Sequence, residues 1–197
     1  MGVREQQKLE TRARILKASK DLFCDEGFEV SMQKIAKNAD VAAGTIFVHF
    51  SDKRELLVHV LFEDLKRAAI KGLKALNEEK PVLEQLLDCI APIYRYYFRS
   101  PELSRTLLKE ALFSANEVSK ELLRNQASDF LEEIAKAIGL QLEERRVEVK
   151  TFLTTFFYLY LMNLMVHLNK PKQSTSGALN DLKSILKPIL SAYGMKN

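Results

Sequence analysis

Six cations stand in the first twenty residues, Arg4, Lys8, Arg12, Arg14, Lys17 and Lys20, against only Glu5 and Glu10. Their surplus equals the formal net charge of the whole 197-residue chain, +4. Cations neutralise phosphates, so this segment is either a phosphate-facing arm or the solvated, frayed end of a helix. The remaining reactive side chains suggest no catalysis. Cys24 and Cys89 stand far apart, with no CxxC or Cys/His ligand spacing, so no metal site and no cofactor are expected. His49, His59 and His167 are scattered, and none sits beside a Ser or Cys in a nucleophilic arrangement. There is no phosphate-cradling glycine loop and no nucleophile elbow, so an enzyme is not expected.

The elements that would position such cations are helices. Leu, Lys, Glu and Ala dominate, Gly and Pro are few, and no long alternation of apolar and polar residues marks a strand. The hydrophobic content of 47% suffices for a well-buried core. Within Ser31–Phe50, Ala36 is small, and Val41 and Ile46 follow five and ten residues later. This pattern predicts two short helices crossing closely at Ala36, a helix-turn-helix that binds duplex DNA. Ser31 is expected to cap the first of them, and Asp40 to take a left-handed turn between them.

Around that motif, a first helix is predicted over Glu10–Glu26, stopped by Gly27, and the reading helix over Ala43–Phe50. Asp52 and Glu55 form a capping-box-like start to a long fourth helix reaching Glu78. Further helices are expected over Val82–Arg99, kinked at Pro92; from Pro101; from an Asn116 cap to Ile138, stopped by Gly139; over Glu143–Asn169; and over Ala178–Tyr193 after a loop at Pro171–Gly177. The expected architecture is all-α with about nine helices. Residues 1–54 form a three-helix DNA-binding domain, continuous with an effector-binding and dimerisation domain over 55–197. Phe152–Leu168 is too short and too polar for a membrane span, so a buried bundle helix and no membrane partner are expected. Both cysteines are expected to be core thiols in a reducing compartment. The charged N-terminus lacks the apolar core of a signal peptide, which points to the cytoplasm.

In the C-terminal helix Leu179, Leu182, Leu186, Ile189 and Tyr193 are spaced 3, 4, 3 and 4, a heptad seam. Either it pairs with a second copy in a homodimer, as a two-fold reader of DNA requires, or it is an ordinary core seam in a monomer. The same half is rich in aromatics. Next to the Pro92 kink, Tyr94, Tyr97, Phe98, Phe113, Phe157, Tyr158 and Met162 are expected to line an elongated apolar pocket. Asn163 or His167 would be polar anchors, and the ligand a small apolar effector such as a fatty acyl compound.

Ile15-Leu16, Leu22-Phe23, Gly27-Phe28, Ile35-Ala36, Val41, Gly44-Thr45-Ile46, His49-Phe50, Lys53 and Leu56-Leu57 together resemble the TetR family of transcriptional regulators, over about Arg12–Leu61. The resemblance implies an all-α homodimer that places its third helix in the major groove of a palindromic operator, and most often a repressor released by a small molecule. It implies that Ser31 meets a phosphate, Thr45 a base or the backbone, His49 a phosphate, and Lys53 a phosphate as the family's lysine. Gln33 and Lys34 are polar candidates beside them, and Gly44 lies in the reading helix. Phe47 stands where the family usually has a phosphate-binding Tyr. Ala42 and Ala43 stand where it usually has polar residues, which leaves methyl contacts to thymine but no bidentate base reading. Discrimination is therefore expected to rest on Gln33, Thr45 and DNA shape. Phe47 and Phe50 also read as core residues, and His49 as solvent-facing. The alternative function is a helical protein-interaction module without sequence-specific DNA binding.

Overall fold

The computed structural model describes residues 2–113 and 116–194. Among the described residues there are nine helices and no strand: α1 Val3–Glu26, α2 Met32–Asn38, α3 Ala43–His49, α4 Lys53–Leu73, α5 Val82–Arg99, α6 Pro101–Phe113, α7 Glu117–Glu144, α8 Val149–Leu168 and α9 Thr175–Ala192. The chain divides into two compact units. The first is Met1–Asp64 with Glu102–Leu123, and the second Leu65–Pro101 with Arg124–Asn197. Compactness thus groups α6 with the N-terminal helices, whereas the functional division expected from sequence falls after residue 54.

In the first unit α1 packs on α2 and α2 on α3. Ile15, Leu22 and Phe23 of α1, Ile35 and Ala36 of α2, Ile46 of α3, and Phe50, Leu56 and Leu57 after it are all buried. α2 ends as its residues require. The Asp40 backbone adopts φ 54°. The Val41 N–H returns to the Ala36 carbonyl at 3.0 Å and the Asp40 N–H to the Lys37 carbonyl at 3.3 Å. These paired bonds satisfy carbonyls left over at the helix end, and the left-handed residue turns the chain into α3.

In the second unit α9 packs on both α5 and α8. Gly72 of α4 lies against α5 so closely that a Cβ there would fall 1.9 Å from the Cys89 carbonyl oxygen. Burial pushes the Cys89 thiol up to about 12, as expected of a core cysteine. Cys24, by contrast, is exposed. It sits on the outer side of α1, where the buried stripe of Ile15, Ala18, Ser19, Leu22 and Phe23 does not reach.

Several helix ends differ from expectation, each for a local reason. α1 starts at Val3, so the basic segment is helical. α7 passes through Gly139 because Ile134, Ile138 and Leu142 are all buried at four-residue spacing. Burying Leu142 outweighs the roughly 1 kcal/mol cost of a helical glycine. The left-handed stop falls instead at Arg146, φ 61°, where the Val147 N–H returns to the Leu142 carbonyl at 2.9 Å. α8 then starts at Val149, behind a Glu148 cap. α4 ends at Leu73, its last turn closing in three-residue bonds such as Ala75 N–H to the Gly72 carbonyl at 2.9 Å. α9 gains Thr175–Gly177 because Ser174 accepts the Gly177 N–H at 3.1 Å.

Candidate nucleic-acid interface

The α2–α3 corner offers a surface rather than a cleft. Ser31 is exposed and caps α2, its hydroxyl oxygen accepting the Lys34 N–H at 3.2 Å. Gln33 and Lys34 are exposed on α2. The Lys34 ammonium is already paired with Glu26 at 2.7 Å. Along α3, Ala42, Ala43 and Gly44 are exposed, Thr45 is half-buried, and Ile46 points into the core. Phe47 is 54% exposed and Val48 72% exposed. Phe47 is therefore not a core residue, because the residue that anchors α3 is its neighbour Ile46. Phe50, one turn beyond Ile46, is the core aromatic.

His49 takes neither of its two expected roles in simple form. It is half-buried, its ring lies 6.4 Å from that of Phe50, and its Nδ1 is buried without a partner. Burial, then Arg12 and Lys8, lower its pKa, which favours the neutral imidazole. Lys53 donates from Nζ to the Val30 carbonyl at 3.2 Å and stands 4.4 Å from the Phe28 ring centre. It therefore ties the start of α4 to the loop before α2.

Two cations of the basic segment also enter this corner. Arg12 donates to the His49 carbonyl at 2.9 Å and lies 4.2 Å from the centre of the Phe50 ring. Arg14 reaches the Asp40 carbonyl at 3.4 Å. They were legible in sequence only as charge, because the groups they reach, at His49 and Phe50 and at Asp40 in the turn before α3, lie more than twenty residues along the chain. Val48 was not singled out by type, although its place on α3, nearly opposite Ile46, carried the signal.

The second unit places the other predicted residues less evenly. Tyr94, Tyr97, Phe98 and Phe157 are buried or half-buried. Tyr94 donates to the Asn163 side-chain oxygen at 2.5 Å and stacks edge-on with Tyr160 at 5.4 Å. Phe113 is 79% exposed, Tyr158 65% and Met162 58%, so these three line no interior. α8 turns Phe152, Phe156, Tyr160 and Leu164 inward and leaves Tyr158, Met162 and Val166 on its opposite face. By length and composition α8 could cross a membrane; here its inner face packs on α5 and α9. On α9, Leu182 and Leu186 are buried inside the protomer and are not available to a partner. α5 and α8 already occupy that side of the helix. Leu179 and Ile189 are half-buried, and Tyr193 and Ile185 are exposed. Among the described residues no group of three or more His, Cys, Asp or Glu could hold a metal ion.

Residues 15–60 match the sequence model of the family described as bacterial regulatory proteins, tetR family. An uncharacterized HTH-type transcriptional regulator of Haemophilus influenzae is 29% identical over 134 residues, covering 67% of this chain and 72% of its own. The HTH-type transcriptional repressor KstR of Rhodococcus jostii is 32% identical over 106 residues, covering 53% of this chain and 49% of its own. The chain thus spans only about half the length of that second relative. Among solved structures, FadR of Thermus thermophilus, a TetR-family transcriptional repressor in complex with lauroyl-CoA, superposes with a TM-score of 0.69 at 21% identity, covering 91% of this chain and 93% of its own. A likeness at that identity establishes the fold alone.

Proposed function

We propose that this chain is a TetR-family transcriptional regulator, as the match over residues 15–60 supports, and that it is a ligand-responsive repressor. It acts as a homodimer on a palindromic operator in the cytoplasm and leaves it when a small apolar effector binds. The observation that carries the DNA half is the α2–α3 corner, where Ala36 is buried at the crossing and α3 presents its outer face bare. Arg12, Arg14 and Lys53 reach backbone carbonyls of this corner, and Ser31, Gln33, Thr45 and His49 complete the proposed contact set. A salt-titrated binding assay tests this. Affinity for the duplex upstream of its own gene must fall steeply with salt and keep a sequence-specific component. Binding no duplex refutes it.

The effector site is proposed among Tyr94, Tyr97, Phe98 and Phe157, with Asn163 and His167 as polar groups. The lauroyl-CoA ligand of the Thermus thermophilus protein supports a fatty acyl compound. Phe113, Tyr158 and Met162 are withdrawn from the lining because they are exposed. Native mass spectrometry with lauroyl-CoA, followed by operator release, tests this site. For the dimer, the exposed α8 row of Tyr158, Met162 and Val166, with Ile185 and Ile189 of α9, replaces the seam through Leu182 and Leu186. An apolar row of this kind on a helix whose other face is already packed calls for a second copy.

A further inference from the structure

The outer face of α3 carries almost no hydrogen-bonding group. At about 100° per residue, Gly44 and Val48 straddle the direction opposite the buried Ile46, with Phe47 and Ala43 to one side of them. Phe47 and Val48 are the two large side chains there, and both are exposed. Thr45 is the polar side chain flanking this face, and it is half-buried. Nothing lies within 4 Å of where a Gly44 Cβ would sit, so the helix backbone itself is bare at that point. An apolar ridge of this kind between Arg14, which reaches the Asp40 carbonyl before α3, and Arg12, which reaches the His49 carbonyl at its end, is a contradiction for a surface facing water. It is consistent for a surface facing a duplex, where cations meet phosphates and an apolar side chain can meet the one apolar group of the major groove, the thymine C5-methyl.

We infer that α3 selects its half-site by apolar contact of Phe47 and Val48 with thymine methyls, not by hydrogen bonds to base edges. This rests on the DNA-binding function proposed above and names the chemistry of its specificity. Phe47 thereby has a role other than the phosphate contact that a tyrosine hydroxyl would make. The operator half-site is expected to carry thymines at adjacent positions under the C-terminal half of α3, where Phe47 and Val48 stand, with little discrimination between G and A at flanking positions.

The test uses the full-length protein and a duplex enriched from a random-sequence library. In that duplex each thymine is replaced in turn by deoxyuridine, which removes the C5-methyl and keeps every hydrogen-bonding group. Loss of one buried methyl is expected to weaken binding about fourfold, and more when both half-sites are changed. In Phe47→Ala or Val48→Ala the thymine-to-uracil difference at the contacted position is expected to vanish. A change in duplex shape caused by the missing methyl would instead persist in both variants. Both side chains are exposed, so the variants are expected to melt at the wild-type temperature, which circular dichroism checks. Equal affinity for thymine and uracil duplexes overturns the inference and leaves the repressor function standing. So does a difference that survives in both variants. Failure to enrich any duplex overturns the DNA-binding function and this inference with it.

Discussion

The Asn116 side-chain amide donates to the Glu55 carboxylate at 3.3 Å while its oxygen accepts the Ser119 N–H at 3.0 Å. One residue therefore caps α7 and holds the corner between α3 and α4. Glu55 is the hub of that corner. It also accepts the Ser51 N–H at 3.0 Å and the Ser51 hydroxyl at 2.5 Å. Burial alone would push its carboxyl up, but the bonds from Ser51 and Asn116, with His59 nearby, hold it below the ordinary value. Asn116→Ala is expected to cost about 1–2 kcal/mol in chemical denaturation, from the lost cap and the lost bond together. Asn116→Asp keeps a cap but sets a carboxylate against Glu55, so it should loosen the corner while α7 keeps its helicity. Equal stability of all three proteins would show that the corner is held elsewhere.

Lys53→Ala is expected to weaken binding to every duplex by a similar factor and to lower the slope of log affinity against log salt by about one. The same change removes the bond to the Val30 carbonyl, so the melting temperature must be measured beside the affinity. An unchanged salt slope would remove Lys53 from the phosphate contacts.

Stability should fall on mild acidification. Burial, then Arg12, depress the pKa of His59, and Glu55 opposes them only in part. The unfolded chain accordingly takes up a proton that the folded one resists. The stabilisation is present above the unfolded value of about 6.5 and is lost as pH falls below it. The melting temperature of the wild type should drop between pH 7.5 and 5.5 by more than that of His59→Gln. Any loss through Glu55 comes later, below its ordinary value of 4.5. Parallel pH profiles for the two proteins would exclude His59 as the source.

Charge placed on the outer face of α8 should separate subunits without unfolding them. Tyr158→Asp with Met162→Asp is expected to give a helical monomer by sedimentation, because both side chains are exposed in the protomer. Leu182→Asp should instead unfold the second unit, because Leu182 is buried within it. A dimer that survives the α8 changes would move the interface to another surface.

Gly72→Ala should destabilise the second unit by about 1–3 kcal/mol, and towards the upper end, because the new methyl meets the Cys89 backbone and not a movable side chain. Denaturant titration reads this directly. A silent substitution would mean that α4 and α5 can separate freely.

The short-range features of the first unit were legible in the chain. The Ser31 cap, the left-handed Asp40, the small Ala36 and the apolar Ile46 are local requirements of a tight two-helix corner, and each appears where its residue type demands. Stops that depend on burial were less legible. Gly139 has the chemistry of a helix end, yet the buried Leu142 beyond it carries the helix on.

The heptad on α9 shows the same division most plainly. Spacing alone established that Leu182 and Leu186 form an apolar seam, because a period of 3.5 residues places them on one side of any helix. It did not establish what covers that seam, because a core partner and a second subunit make the same demand on residue type. Tertiary packing decided it. α5 and α8 cover Leu182 and Leu186 from within, and the unpartnered apolar row is displaced to Tyr158, Met162 and Val166 on α8. In the same way the sequence showed that Ala42, Ala43 and Phe47 stand in α3 and at its cap where polar residues are usual, leaving Thr45 as the polar reading candidate there. That Phe47 and Val48 stand out from α3 followed only once Ile46 had turned into the core and set the rotation of the helix. Local pattern states which face of a helix is apolar; only packing states which apolar face is left over.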